Sequence, residues 1–218
     1  EGYVGLSIAI PAIALNLLGG VFADKLDPRR LVGIAQFTTA TVAVGLAVLI
    51  IIDVVNQWHV LAAAFVIGSM QAFDTPSRQS IWPRLVAREA IPNAVALNSA
   101  VWTGTRIVAP TIAGVIIGLT DISAAILVSA TGFYILGVVV QTLKIKTSER
   151  ATGRMFEEML AGFMFIKASP IFSFLIGMTF FNGMFGMSFI FLMPIFAKEV
   201  LEVGAEKIGL LLGASGIG

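Results

Sequence analysis

The stretch GGVFADKLDPRR, Gly19 to Arg30, places five charged residues within twelve positions, between two long apolar runs. Short polar breaks of this kind recur along a chain of 218 residues, of which 57% are hydrophobic and 12% are charged. Soluble domains carry about 25% charged residues, and the mean hydropathy here is +0.94. The apolar runs are long enough to cross a hydrocarbon core of about 30 Å as helices. We therefore predict an all-α integral membrane protein.

Seven apolar segments, the last one cut short, are predicted to be transmembrane helices. They cover 3–23, 31–52, 58–76, 93–119, 122–143, 170–195 and a segment that begins near 207. The chain starts without Met and stops inside an apolar run, so we expect it to be a fragment of a longer protein. Because cysteine is absent, no disulfide and no thiolate metal site is expected.

The distribution of Lys and Arg predicts the orientation, since cations in short loops stay on the cytoplasmic side of a membrane. The connectors 24–30, 77–92 and 144–169 carry most of the cations, namely Lys25, Arg29, Arg30, Arg78, Arg84, Arg88, Lys144, Lys146, Arg150, Arg154 and Lys167. The opposite connectors hold only Lys198, with Lys207 beside the last of them. The basic connectors are therefore predicted to be cytoplasmic. They form no continuous basic face, and no nucleic-acid partner is expected.

The connector 144–169 is the one long polar break, and it predicts the division into domains. Phe156, Leu160, Phe163 and Ile166 recur in it at helical spacing, which is typical of a helix lying along the membrane interface. We predict a first transmembrane bundle over 1–143, a cytoplasmic linker with this interfacial helix over 144–169, and the start of a second, truncated bundle over 170–218.

An internal similarity supports two bundles. Residues 3–13 align without gaps with residues 207–217 and match Gly5 with Gly209. Six spans separate the two segments, which is the spacing that two parallel six-helix repeats around a central cavity produce. Chance similarity between two apolar segments is the alternative.

Asp24 closes the first predicted span, at a helix end whose dipole disfavours a carboxylate. It therefore needs a positive partner, and we expect Lys25, Arg29, Arg30 or Arg78 to supply one. The neighbouring pair Gly19 and Gly20 lets another helix approach closely, and Asp27 with Pro28 favours a tight turn. The alternative is that these cations only anchor a loop on the cytoplasmic side.

The pattern Gly20-x-x-x-Asp24-Lys25-x-x-x-Arg29-Arg30 resembles the loop signature of the major facilitator superfamily, although this loop is one residue longer and lacks the usual internal glycine. AFDTPSRQSIWPRLV and the later NAVALNSAVWTGTRIVAPTIAGV are similar to its drug and siderophore exporters, of the transmembrane secretion effector type. The resemblance implies a major-facilitator-like bundle, with family helices two to eight of twelve present. It also implies a conformational latch that opens as the bundles rock, formed by Gly20, Asp24, Lys25, Arg29, Arg30, Asp74 and Arg78.

Arg106 lies about 20 Å along the fourth span if the helix begins at Asn93. An arginine near the bilayer centre costs about 2.5–3.5 kcal/mol, so we expect it to face the bundle interior or water. It either contacts substrate or a proton relay, or is a structural arginine satisfied by carbonyls. Asp74 is the nearest visible candidate for its counter-ion.

Ala109-Pro110-x-x-Ala113-Gly114 resembles the fifth-helix antiporter motif of the same family, with alanine in place of two glycines. The resemblance gives Pro110 and Gly114 a coupling role, and pure helix packing is the alternative. Polar residues within the spans are candidates to line a cavity or to hydrogen-bond between helices. They include Asn16, Gln36, Gln71 and Asn98.

The function predicted from these features is export of amphipathic small molecules across the cytoplasmic membrane by a multi-pass secondary active transporter. Alternating access and proton antiport are the expected mechanism, and the expected partners are the substrate, protons and the lipid bilayer, with the protein acting as a monomer. The sequence has no nucleotide-binding signature and no catalytic cluster, so no enzyme activity, cofactor or metal is expected. The alternatives are a non-transporting scaffold or sensor with the same fold, and an importer.

Overall fold

The computed structural model describes residues 2–143, 164–166, 169–186, 188–201 and 203–215. The helices of this part are α1 (Gly2–Lys25), α2 (Pro28–Ile51), α3 (Gln57–Ile81), α4 (Ile91–Leu119), α5 (Ile122–Thr142), α6 (Pro170–Phe181), α7 (Ser188–Glu199) and α8 (Ala205–Ser215). Two 3₁₀ turns, Trp82–Arg84 and Arg88–Ala90, connect α3 to α4. The all-α prediction is confirmed.

Two aspartates start helices in this fold. Asp27 is the N-cap of α2, where its side chain accepts from the Arg29 backbone N–H at 3.0 Å, and Pro28 occupies the first helical turn. Asp121 caps α5 in the same way and accepts from the Ala124 N–H at 2.9 Å. Both side chains satisfy backbone donors that a helix start leaves free. The predicted turn at Asp27 and Pro28 is therefore the junction between α1 and α2.

The helices pack in the order α1, α3, α2, α5, α4 and α8, each against the next. The α2 helix has α3 on one side and α5 on the other, and its buried positions include the small residues Ala35, Ala40, Ala43 and Ala47. Glycines let α2 and α5 approach closely, because a Cβ on Gly137 would lie 2.9 Å from the Phe37 ring. Close van der Waals packing of this kind is what holds helices together in a membrane.

The predicted spans agree with the helices with two corrections, the first being that α3 continues to Ile81, beyond the predicted end at 76. The segment 170–195 is not a single helix, because the π-helical stretch Asn182–Gly186 separates α6 from α7. Two glycines, Gly183 and Gly186, lie in this stretch, and glycine weakens regular α-helix. Within the described residues, three helical segments are long and apolar enough to cross a membrane: Pro28–Ile51, Arg88–Leu119 and Ile122–Thr142. The predicted interfacial helix lies outside the described residues, except for the helical residues 164–166.

Candidate functional site

A polar cluster of three residues, Gln36, Asp74 and Arg78, lies between α2 and α3, and we call it the α2–α3 polar cluster. The Gln36 Nε2 donates to Asp74 Oδ1 at 2.9 Å, and the Arg78 guanidinium pairs with the other oxygen, Oδ2, of the same carboxylate. Asp74 and Gln36 are 4% and 3% exposed. The cluster therefore holds a carboxylate inside the helix bundle, with one donor from each of two helices.

The three side chains of this cluster are brought together partly by spacing within α3 and partly by the packing of α2 against α3. Asp74 and Arg78 are four residues apart on α3, so their side chains share one face of that helix. Gln36 belongs to the buried face of α2. Its Oε1 is buried and has no hydrogen-bond partner among the described residues, and an unsatisfied buried polar atom costs about 1–3 kcal/mol. Among the described residues, the Gln36 amide therefore hydrogen-bonds to Asp74 through its nitrogen, and its oxygen has no donor.

A second arrangement, the Asp27 clasp, comprises Asp27, Arg29 and the carbonyl of Leu143. The Arg29 Nε and Nη2 donate to Asp27 Oδ1 and Oδ2 at 3.1 and 2.7 Å, and Nη1 donates to the Leu143 carbonyl at 2.8 Å. Gln141 Nε2 also donates to the Arg29 carbonyl at 3.2 Å. The clasp therefore ties the start of α2 to the end of α5.

The pKa of Asp27 is held below its usual value, chiefly by the side-chain hydrogen bond from Arg29, with partial burial acting against it. The carboxylate therefore stabilises the fold at pH values above its unfolded pKa, which is about 3.9. This contribution is lost as the pH falls through the lowered pKa of the folded state.

We expect Asp27→Ala to lower the free energy of unfolding by about 0.5–2 kcal/mol, because the N-cap and the ion pair are lost together. Asp27→Asn keeps a capping oxygen and loses only the charge, so its cost is expected to be smaller. Thermal unfolding in detergent at pH 7 and at pH 3 measures both, and the cost of Asp27→Asn is expected to be smaller at pH 3, which lies below the unfolded pKa of the carboxyl. Asp121→Asn, a cap without an arginine partner, is the matched control. An equal cost for Asp27→Asn at both pH values would show that the clasp contributes no charge-dependent stability.

The third feature is the contact between α4 and α8, which we call the α4–α8 seam. A Cβ on Gly209 would lie 2.6 Å from the Pro110 carbonyl oxygen and 3.1 Å from the Gly114 Cα. A Cβ on Gly213 would lie 2.8 Å from the Ile107 carbonyl oxygen. The two helices thus approach closely at both glycines, with the Thr111 side chain also in the contact, where its hydroxyl donates to the Gly209 carbonyl at 3.5 Å. This is the geometry that a Gly-x-x-x-Gly stripe permits.

The structure thus places Pro110 and Gly114, predicted from the antiporter resemblance, in a helix contact. Gly114 is buried there. Arg106 is exposed on α4 and has no hydrogen-bond or ion-pair partner among the described residues. Its predicted counter-ion, Asp74, is instead engaged by Gln36 and Arg78. The other candidate cavity residues, Asn16, Gln71 and Asn98, are exposed on the surfaces of their helices.

The predicted latch residues are brought together only in part. Among the described side chains, Arg78 contacts Asp74, and both are predicted latch residues. Arg29 instead contacts Asp27, which was not one of them. Arg30 is exposed, and its charge acts on Asp27, where it helps to lower the pKa of that carboxyl. Gly20, Asp24 and Lys25 belong to α1, and their side chains lie outside the described residues. Sequence reasoning named Gln36 only as one of several polar residues and missed its bond to Asp74.

The long apolar helices, packed through glycines and enclosing a polar cluster, have the build of a polytopic helical membrane protein. Residues 3–218 match the transmembrane secretion effector family of the major facilitator superfamily. The chain belongs to this family, and the resemblance seen in its loop signature is confirmed.

Three relatives show what the chain is similar to. It is 28% identical to the staphyloferrin A transporter of Staphylococcus aureus (strain NCTC 8325 / PS 47) over 149 residues, 68% of this chain and 38% of that protein. It is 21% identical to the uncharacterized MFS-type transporter YfiS of Bacillus subtilis (strain 168) over 173 residues, 76% of this chain and 40% of that protein. It is 22% identical to the macrolide efflux protein A of Streptococcus pyogenes over 144 residues, 66% of this chain and 34% of that protein. The chain therefore spans well under half the length of the curated relatives it matches, and these relatives are transporters, not enzymes.

Proposed function

We propose that the protein is a secondary active exporter of amphipathic small molecules, which works by alternating access and proton antiport in the cytoplasmic membrane. Family membership and the relatives that carry a siderophore and a macrolide in their names support a small-molecule substrate. The observation that carries the mechanism is the α4–α8 seam. Two helices that meet mainly through glycine and backbone atoms can change their crossing angle, and the Thr111 hydroxyl, which donates to the Gly209 carbonyl at 3.5 Å, is a side-chain contact across the seam that would have to adjust.

In this proposal α4 belongs to a first bundle over 1–143 and α8 to a second bundle that begins at 170. Residues 144–169 are the cytoplasmic linker between them. The seam is then a line of contact between two bundles about which they rock. Arg106 is exposed and lies one residue before Ile107, which contacts α8 in the seam. In this proposal Arg106 therefore lies beside the space that opens and closes as the bundles rock. Asn16, Gln71 and Asn98 are the further proposed lining residues of that space.

Transport by purified full-length protein in lipid vesicles tests this function. With a pH gradient imposed, labelled macrolide and labelled staphyloferrin A are the probes. We expect one of them to accumulate against its gradient, and we expect the accumulation to collapse when a protonophore is added. No movement under any gradient would support a scaffold or sensor, whereas movement in the same direction as the protons would support an importer.

The proposed latch keeps the cytoplasmic ends of the bundles together in the outward-open state. It comprises Gly20, Asp24, Lys25, Arg29, Arg30, Asp74 and Arg78. The Asp27 clasp supports this location, since it brings the start of α2 next to Leu143, the residue before the linker. A charge cluster acts as a latch only if its contacts differ in free energy between the two states.

We expect Asp24→Asn to shift the protein towards the inward-open state and to reduce export about tenfold, the effect of losing roughly 1.4 kcal/mol. Spin labels on cysteines introduced at Leu85 and Ile171 report the separation of the cytoplasmic ends, and the chain has no cysteine of its own to interfere. The expected result is a larger fraction of long distances. Asp53→Asn, at an exposed position in the α2–α3 connector, is the control. An unchanged distance distribution together with unchanged export would end the latch hypothesis.

A further inference from the structure

We propose that Asp74 and Gln36 form the proton-binding site of this protein, with the Asp74 carboxylate taking up the proton and the Gln36 amide accommodating both protonation states. This inference rests on the proposed proton antiport and names the group that carries the proton. Its starting point is the α2–α3 polar cluster, in which a carboxylate 4% exposed lies against an amide 3% exposed.

Few charged groups surround Asp74, and Arg78 is the described cation that pairs with it. Arg78 pairs with it from the same helix, and the Arg78 side chain is half exposed. On α2, which packs against α3, Arg29 is committed to Asp27, and Arg30 is exposed. On α1, the other helix packed against α3, Asp24 and Lys25 are the charged groups near the same end, and their side chains are not described. Among the described side chains, therefore, one partly solvated cation is the counter-ion of a buried carboxylate, and taking up a proton removes the need for it.

The Gln36 amide matches a group that changes its protonation state. An ionised carboxylate only accepts hydrogen bonds, and Gln36 Nε2 donates one to Asp74 Oδ1 at 2.9 Å. A protonated carboxyl donates, and it then needs an acceptor. The Gln36 Oε1 can be that acceptor, since it is buried and no described residue donates a hydrogen bond to it. Rotation of the amide by half a turn about its last side-chain bond places Oε1 where Nε2 is now.

The proton step itself is simple. A proton from water binds one Asp74 oxygen, the new O–H donates to Gln36 Oε1, and no other covalent bond forms or breaks. The carboxyl is then neutral, so Arg78 loses its ion pair and can bind another anion or water. Because Arg78 also belongs to the proposed latch, proton uptake changes the contacts at the end of the bundle that is proposed to open.

Infrared difference spectra of the full-length protein in lipid test proton binding without any substrate. Acidification is expected to produce, beside the C=O bands of solvated carboxyls, a separate band of a buried protonated carboxyl, and Asp74→Asn is expected to remove that separate band. Gln36→Leu, which leaves the carboxyl without its amide acceptor, is expected to keep the band and shift its frequency. Asp53→Asn, which removes an exposed carboxylate, is the matched control and keeps the Asp74 band. Survival of the band in Asp74→Asn, or an unshifted band in Gln36→Leu, overturns the inference.

Vesicle transport with labelled macrolide and labelled staphyloferrin A separates this inference from the proposed function. For whichever probe the wild type accumulates, the ratio of gradient-driven accumulation to gradient-free exchange is expected to fall at least about tenfold in Asp74→Asn. If the wild type itself moves neither probe in response to a pH gradient, the proposed antiport fails. If the wild type is proton-driven and Asp74→Asn is equally so, the antiport stands and Asp74 is not its proton carrier. Gln36→Leu serves as the second variant if Asp74→Asn does not fold, and an unchanged ratio in Gln36→Leu overturns the role given to the amide.

Discussion

Gly209→Leu is expected to abolish export and to lower the thermal stability of the protein. Even the first carbon of the new side chain would lie 2.6 Å from the Pro110 carbonyl oxygen and 3.1 Å from the Gly114 Cα. Both are backbone atoms of a regular helix, so neither rotates away as a flexible side chain does. Overpacking costs about 1–3 kcal/mol where neighbours have room to adjust, and here α4 and α8 have to separate instead.

Gly104 provides the control for this substitution, because it lies on α4 and a Cβ there would meet no described atom within 4 Å. Gly104→Leu is therefore expected to leave both export and melting temperature close to those of the wild type. Gly209→Ala is expected to fall between the two leucine variants. Export in vesicles and thermal unfolding in detergent are the measurements, and normal export by Gly209→Leu would show that the seam is not a contact the transporter uses.

The α4–α8 seam shows what a local sequence motif predicts and what it leaves open. The sequence contains Gly209-x-x-x-Gly213, a spacing that favours close helix contact, but a motif does not name its partner. That partner, Pro110 to Gly114, lies about a hundred residues earlier in the chain. The repeat alignment matched Gly209 with Gly5, yet a Cβ on Gly5 would meet nothing within 4 Å among the described atoms. The two glycines that this alignment matches therefore have different surroundings among the described residues.

Helix positions were predictable because apolar runs and capping residues are local signals. Asp27 with Pro28 is predicted from the sequence as a turn before a span that begins at 31, and in the structure the pair starts α2, with Asp27 as its N-cap. The π-helical stretch Asn182–Gly186 was not predicted, since the segment remains apolar across it and only Gly183 and Gly186 mark the break. The end of α3 was also predicted too early. Its helix continues past Pro76 to Ile81, because a proline near a helix end disturbs few of the remaining hydrogen bonds.

For the α2–α3 polar cluster too, one contact follows from local spacing in the sequence and the other depends on how two helices pack. The spacing of four residues brings Asp74 and Arg78 to one helix face, and that much was available from the sequence. The bond from Gln36 depends on how α2 is rotated against α3, which no local pattern specifies. Similarly, Arg29 is one of several candidate partners that the sequence offers Asp24, whereas the N-cap geometry of Asp27 places another carboxylate two residues away from Arg29, with which it pairs.

Arg106→Leu is expected to reduce export strongly while leaving the stability of the fold unchanged or raised. Arg106 is exposed in the middle of α4 and has no partner among the described residues. An arginine at such a depth costs about 2.5–3.5 kcal/mol, so a purely structural role would require a partner to offset the cost. A hydrogen bond to a charged group contributes about 1.5–3 kcal/mol. Losing one with the substrate therefore corresponds to a loss of export of about ten- to hundredfold.

Further variants separate the effect of the Arg106 charge from the effects of its guanidinium geometry and of its position on α4. Arg106→Lys keeps the charge without the planar fork of donors, so it is expected to retain part of the activity. Arg88→Leu removes the same charge from an exposed position in the α3–α4 connector and is expected to export normally. An anionic probe is expected to lose more transport in Arg106→Leu than a neutral probe of similar size, because the lost contact is electrostatic. If Arg106→Leu instead unfolds at a markedly lower temperature and exports both probes in proportion to the folded protein that remains, the arginine is structural, and its partner is a carbonyl or a carboxylate of the protein itself.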